Sequence, residues 1–101
     1  MIVYSITVKV DHEIGDEWIR WQKEIHIPEV ISTGLFTEYR FYKLLDHDDE
    51  EGKIFVTQFL TKNRQDYDTY IKMFSPILRK KALEKWGDKA VSFQTLLQNV
   101  E

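Results

Sequence analysis

The fold is decided by residues 18–45, which read WIRWQKEIHIPEVISTGLFTEYRFYKLL. In the first half, apolar residues recur every three to four positions, at Trp18, Trp21 and Ile25, which is the spacing of one amphipathic helix. In the second half, aromatic residues alternate with polar ones, which predicts a long strand over residues 35–45. The stretch therefore predicts one helix followed by one aromatic strand.

The helix is predicted to run from Asp16 to about Ile31, with an interruption. Pro28 has no backbone N–H and cannot continue the hydrogen-bond ladder, so we expect a bend or a restart near Ile27. Gly34 can adopt the left-handed conformation that ends many helices. The helix is thus expected to stop before Gly34.

Three further segments show the alternation of half-buried strands. Residues 2–10 place five apolar side chains on one face, residues 53–61 return the chain after a polar loop at 46–52, and residues 90–97 close it. Two strands joined by a short polar loop that ends in glycine predict an antiparallel hairpin. The chain therefore supplies four strands.

A second helix is predicted between the third and fourth strands. Asn63 is a favourable N-cap, with Asp66 three residues later as in a loose capping box. Ser75 followed by Pro76 resembles a second cap, which predicts a kink or a restart, and Gly87 marks the end.

The resulting order is strand, helix, strand, strand, helix, strand, within a single domain spanning residues 1–101. A βαββαβ order is that of the α+β, ferredoxin-like fold. Right-handed crossovers place both helices on one face of a four-stranded antiparallel sheet. The other face is left open.

The open face decides the expected assembly. Depending on register it carries Ser5, Thr7, Gln58, Gln94 and either Arg40 with Tyr42 or Tyr39 with Phe41. Such a face is poor in the charged residues of a solvated surface, so we expect a homodimer formed through it. A monomer with a bare sheet is the alternative.

Composition excludes several classes of function. The chain has 43% hydrophobic residues, no cysteine and a net charge of −3. It therefore lacks disulfides and thiolate chemistry, and we expect no nucleic-acid partner, because such partners bind basic faces. No apolar run approaches the ~20 residues of a membrane span, and the first residues form a strand pattern unlike a signal peptide. We expect a cytoplasmic protein without membrane contact.

Particular motifs carry a family resemblance. The W-x-x-W…H-x-P helix resembles the dimeric α/β-barrel superfamily, in which two ferredoxin-like subunits stack their sheets. The segments HIPEVISTGLFTEYRFYKLL (26–45) and LRKKALEKWGDK (78–89) resemble one small family of unknown function within it. Relatives in the superfamily include cofactor-independent monooxygenases, lactone isomerases and haem proteins, so the resemblance implies no single activity.

His26 is the candidate catalytic residue. It follows Gln22 by four positions and Trp18 by eight, so the three side chains lie along one edge of the helix. There it could act as a general base or a hydrogen-bond donor toward a small aromatic substrate. The alternative is that it bonds a backbone carbonyl at the bent helix end, or supports the helix terminus when protonated.

A ligand pocket is predicted between the sheet and the helices. It is expected to be lined, beside His26, by Trp18, Gln22, Tyr39, Tyr67 and Phe74. Two functions follow, an enzyme of the cofactor-independent oxygenase or isomerase type and a non-enzymatic dimeric scaffold in which these residues form a packed core. A void of roughly 300 Å³ or more beside His26 distinguishes the first from the second.

The remaining charged and aromatic groups are predicted to be structural. Trp21 and Trp86 are assigned to packing, and Arg40 to an ion pair with Glu38 or with a partner acid in preference to a ligand carboxylate. The acidic loop at 46–52 and the basic run at 79–81 read as solvated surface. The three histidines lack metal-ligand spacing, so we expect no metal site and no cofactor.

Overall fold

The structure, a computed structural model, describes residues 1–101 and consists of four strands and two helical segments. The strands are β1 (Ile2–Val10), β2 (Glu38–Lys43), β3 (Lys53–Thr61) and β4 (Ala90–Gln98). The helical elements are α1 (Gly15–Trp21), a π turn (Gln22–His26), α2 (Ile27–Ser32), α3 (Arg64–Met73) and α4 (Ser75–Trp86). Short 3₁₀ turns at His12–Ile14 and Gly87–Lys89 lead out of β1 and into β4.

The four strands form one antiparallel sheet in the order β2-β3-β1-β4. With one helical segment between β1 and β2 and another between β3 and β4, this is the ferredoxin-like α+β fold that the element order predicts. None of the helices is long and apolar enough to span a bilayer.

The first helical segment contains an irregular turn where a restart is predicted. At its end the Ile27 N–H donates to the Gln22 carbonyl five residues earlier, which is π-helical bonding. Pro28 lies in the first turn of α2 and would clash with a carbonyl one turn earlier in a regular helix. The predicted restart near Ile27 is confirmed, and it takes the form of a widened π turn.

The second helical segment follows the predicted signals with one exception. Asn63 Oδ1 accepts a hydrogen bond from the Asp66 N–H at 2.9 Å and so caps α3. The chain breaks at Phe74 and restarts with Pro76 in the first turn of α4, as predicted. Ser75 makes no capping hydrogen bond, however, because it is already the first residue of α4, so its prediction as a cap is wrong.

Strand β2 is shorter than the 35–45 predicted. The chain enters the sheet only at Glu38, because Phe36 turns inward and is buried against Phe59 and Tyr70. Because the Phe36 ring lies in the core, residues 35–37 do not follow the alternating pattern of a strand. Only the central six residues remain in β2.

The register resolves which alternative of β2 is correct. Tyr39 pairs with Phe59, which lies on the helix-covered face, so Arg40 and Tyr42 lie on the open face. The Arg40 and Tyr42 alternative is therefore confirmed.

Strand β4 corrects one predicted position. Gln94 pairs with Ile6, whose side chain packs under the helices, so Gln94 lies on the helix-covered face and not on the open one. The open face instead receives Val91, Phe93 and Leu97, all of them exposed. The more apolar side of this strand thus points away from the helices, which the alternation alone does not reveal, because either side suits an amphipathic strand.

The core beneath the helices is divided in two. One cluster consists of Tyr4, Ile27, Val30, Phe36, Phe59, Tyr70 and Leu78. The other consists of Val8, Val10, Trp18, Trp21, Phe55 and Trp86. The two clusters do not fill all of the space between the sheet and the helices.

Candidate functional site

A cavity of about 440 Å³ lies where the two core clusters meet. Strands β1 and β4 form its floor, and its walls come from α1, the π turn and α4. Tyr4 and Tyr70 of the first cluster and Val8 and Trp18 of the second all line it. The cavity is therefore a gap within the core and is framed mostly by aromatic and aliphatic groups.

The π turn and the residue before it present three side chains to this cavity, Trp21, Gln22 and His26. The imidazole of His26 stacks on the indole of Trp21, with ring centroids 4.9 Å apart and planes inclined by 18°. The same indole meets Trp86 of α4 edge to face at 5.8 Å. A continuous row of three rings, His26, Trp21 and Trp86, thus lies along one side of the cavity.

Polar atoms on the wall lack protein partners. Gln22 is 7% exposed, and its amide makes no side-chain hydrogen bond within the protein. The indole Nε1–H of Trp86 is buried and also unpartnered. Buried polar groups usually have partners, because leaving one unsatisfied costs about 1–3 kcal/mol. The Gln22 amide is therefore available to a bound molecule, and the Trp86 N–H lies in the same wall.

The ionisation of His26 suits a proton acceptor. Burial lowers the pKa of His26 below its ordinary value of 6.5, and the Glu29 carboxylate opposes this only in part. The ring is consequently neutral at neutral pH and has a free nitrogen lone pair. No hydrogen bond to a backbone carbonyl holds it, so the alternative of a ring fixed by such a bond at the helix end is wrong.

Two tyrosines, Tyr4 and Tyr70, also line the cavity. Burial raises the pKa of Tyr4, with the positive charge of Arg79 opposing the shift. Burial likewise raises the pKa of Tyr70, again against Arg79. Both hydroxyls therefore stay protonated and act as hydrogen-bond donors or acceptors.

Three of the six predicted site residues line this cavity and three do not. Trp18, Gln22 and His26 are on its wall. Tyr67 lies one ring further away, edge to face with Tyr4 at 5.4 Å, and Phe74 similarly stacks on Tyr70 at 6.4 Å. Tyr39 is exposed on β2, at the opposite edge of the sheet from β4. The grouping of all six around one pocket is therefore corrected.

Sequence reasoning missed several wall residues. The sequence pattern predicts packing roles for Trp21 and Trp86 and a solvated helix face for Arg79 and Lys80, yet all four line the cavity. The available signal was the stripe of Leu78, Ala82 and Trp86 on α4, since Arg79 adjoins it. Gln94 also lines the cavity, because it lies on the helix-covered face and not on the open face that the sequence pattern predicts.

Two other candidate groups have structural partners. Arg40 pairs with Glu38 at 3.8 Å, as expected for a surface ion pair. In the acidic loop, Glu51 pairs with Lys9 at 2.7 Å and His47 with Asp49 at 2.8 Å. No cluster of three or more acidic or histidine groups is arranged to hold a metal ion.

The fold is shared with solved structures at low sequence identity. An ethyl tert-butyl ether d (ethd) family protein from Bacillus halodurans matches with a TM-score of 0.73 at 10% identity, over 99% of this chain and 100% of the other. A dimeric ferredoxin-like protein from an uncultured marine organism gives 0.69 at 15% identity, over 100% and 96%. SnoaB, a cofactor-independent oxygenase from Streptomyces nogalater, gives 0.60 at 12% identity, over 99% and 94%. Such likenesses establish the fold alone.

The sequence itself matches one family. The family described as a domain of unknown function, DUF4286, matches residues 1–100, nearly the whole chain. No curated protein matches the sequence. The expected resemblance to a small family of unknown function is therefore confirmed.

Proposed function

The chain belongs to the DUF4286 family, and from its cavity we propose that it binds a small, mostly aromatic compound between the helices and the sheet. The supporting observation is the volume of about 440 Å³ beside His26. Ligand pockets begin at about 300 Å³. A scaffold with a packed core would fill this space with side chains, so the cavity favours the binding function over that alternative.

The chemistry that we propose is proton abstraction by His26. The neutral imidazole takes a proton from an acidic C–H of the bound compound, so that an N–H bond forms while the C–H bond breaks. The electron pair stays on the compound as an enolate. Return of the proton to a different carbon completes an isomerisation, and the imidazole is restored.

The same first step serves an oxygenase without a cofactor. The enolate then reacts with dioxygen, and a CH₂ carbon becomes a carbonyl carbon with release of one water. The compound is oxidised, dioxygen is reduced, and no other reductant is consumed. SnoaB, described as a cofactor-independent oxygenase, has the same fold, which supports the proposal only at that level.

We further propose a cytoplasmic homodimer formed through the open face of the sheet. Val91, Phe93 and Leu97 expose apolar side chains there, and Val3 and Val56 lie on the same face. Exposed apolar side chains on a sheet face are unfavourable in water and are stabilised by burial against a second copy. A structural neighbour is described as dimeric, which supports this arrangement.

Binding is tested with 2-naphthalenemethanol, a neutral bicyclic compound, titrated against tryptophan fluorescence. We expect saturable quenching, because Trp18, Trp21 and Trp86 all line the cavity. Ala82→Phe introduces a ring into the cavity wall and should weaken binding by roughly tenfold or more. Ile77→Phe on the exposed side of α4 is the matched control and should bind as the parent does. Absence of saturable binding would contradict the proposal.

Proton abstraction is tested with 2-tetralone, an aromatic ketone with acidic C–H bonds, in deuterated water. The parent should accelerate deuterium incorporation as followed by NMR, and His26→Gln should remove the acceleration. His12→Gln, on the exposed turn after β1, removes the same side chain away from the cavity and should leave the rate unchanged. Equal rates with and without protein would contradict the catalytic role while leaving the binding role intact.

A further inference from the structure

The cavity carries positive charge although the chain as a whole is negative. The protein has 17 acidic and 14 basic residues, a net charge of −3. No aspartate or glutamate lines the cavity, whereas Arg79 and Lys80 of α4 both do. The charged side chains that line the cavity are thus both basic, and both are exposed at its rim.

Arg79 differs from its basic neighbours on α4 because it has no acidic partner. Lys80 pairs with Glu84 at 3.9 Å, and Lys81 pairs with Glu29 at 3.2 Å. Arg79 makes a single hydrogen bond, from Nη2 to Gln94 Oε1 at 3.3 Å, and no ion pair. This bond links the guanidinium to the cavity floor on β4, and the other N–H donors remain free.

A second feature of the wall also points to an acceptor on the ligand. The Nε1–H of Trp86, whose side chain is 8% exposed, is an unpartnered donor on the same wall. An indole nitrogen donates only, so the group that satisfies it must be an acceptor. The donors of Arg79 and Trp86 both belong to the α4 wall, and they suit an oxygen-rich, anionic group.

We infer that the compound bound in this cavity is an aromatic carboxylate, whose acid group pairs with Arg79 while its ring packs against Trp21 and Trp86. The guanidinium presents two parallel N–H groups that match the two oxygens of a carboxylate. The indoles of Trp21 and Trp86, which meet edge to face, supply an apolar surface for the aromatic part. This inference rests on the proposed binding function and adds the charge of the ligand to it.

The experiment compares 2-naphthoate with 2-naphthalenemethanol, which have the same ring system but differ in charge. The parent should bind the acid at least roughly tenfold more tightly than the alcohol, as charge-assisted hydrogen bonds require. Arg79→Gln should lose this preference while its affinity for the alcohol stays within about twofold of the parent. Arg79→Lys keeps the charge but not the paired donors and should retain part of the preference.

The matched control is Arg20→Gln, which removes the same charge from an exposed residue of α1 that does not line the cavity. It should leave both affinities unchanged. Equal binding of acid and alcohol by the parent, or an undiminished preference in Arg79→Gln, would overturn the inference and leave the binding function standing. Failure of both compounds to bind would overturn the binding function, and this inference with it.

Discussion

The imidazole of His26 lies flat on the indole of Trp21, with centroids 4.9 Å apart, although the two residues are five positions apart in a helix. In a regular α-helix, positions five apart point about 140° away from each other. The π turn at Gln22–His26 has more residues per turn than an α-helix, so the chain rotates less over these five positions and the two side chains come together. The placement of the candidate base thus depends on a backbone irregularity, and such turns recur at functional sites.

The low pKa of His26 predicts a pH dependence of stability. Because the folded protein disfavours the protonated ring, the unfolded chain binds more protons below pH 6.5. The free energy of unfolding should therefore fall as the pH drops through 6.5 toward the lowered pKa, by at most about 1.4 kcal/mol per pH unit from this group. Urea denaturation between about pH 5 and 8 measures it.

His26→Gln should remove this part of the pH dependence, whereas His12→Gln should retain it. Glu29 on α2 acts against the effect, and Arg79 and Lys80 on α4 line the same cavity as His26. If the parent and His26→Gln lost stability in parallel on acidification, the buried, neutral state assigned to His26 would be wrong.

Gln22→Leu should make the protein more stable and the site weaker. Gln22 is 7% exposed and lies among apolar side chains, so a leucine of similar size avoids the desolvation of an amide, and we expect a gain of about 1 kcal/mol in the free energy of unfolding. The affinity for 2-naphthoate should fall at the same time, because residues of a binding site are often kept at a cost in stability. Gln65→Leu, exposed on α3, is the control and should change stability by less than about 0.5 kcal/mol. A loss of stability in Gln22→Leu would mean that the amide is satisfied in the folded protein.

Two glycines should respond to alanine in opposite directions. Gly52 has φ of +151°, and a Cβ there would collide with the carbonyl oxygen of Val10, so Gly52→Ala should lower the free energy of unfolding by about 1–3 kcal/mol. Gly15 begins α1 with helical dihedrals and has open space around it. Gly15→Ala should therefore raise the free energy of unfolding by about 0.5–1 kcal/mol. Thermal and urea unfolding measure the stability of both variants relative to the parent. If both variants gained or both lost stability, the backbone conformation assigned to Gly52 would be contradicted.

Phe93→Glu should disrupt the proposed dimer. Phe93 is 62% exposed at the open face, so a charge there would be buried without a partner at the interface. Sedimentation equilibrium should give a dimer for the parent and a monomer for this variant. Ile77→Glu places the same charge at a residue 60% exposed on α4, outside the open face, and should remain dimeric. A dimeric Phe93→Glu would place the contact elsewhere.

Local signals in the sequence determined the order and most of the ends of the elements. Alternation, helical spacing, the cap at Asn63 and the prolines at 28 and 76 act within a few residues, so they can be recognised without knowledge of the rest of the chain. Together they specified the ferredoxin-like arrangement and placed Trp18, Gln22 and His26 along one edge of a helix. Only contacts close in sequence are needed for those conclusions.

The tertiary structure alone decided where the cavity lies and what charge it carries. The face of β4, and with it the position of Gln94, depends on its register with β1, more than eighty residues away in sequence. Arg79 becomes part of the site only because α4 packs over that strand, and Tyr67 and Phe74 fall outside because Tyr4 and Tyr70 fill the space nearest to the cavity. Packing between distant segments determines which side chains fill a gap and which border it, and no local pattern encodes that choice.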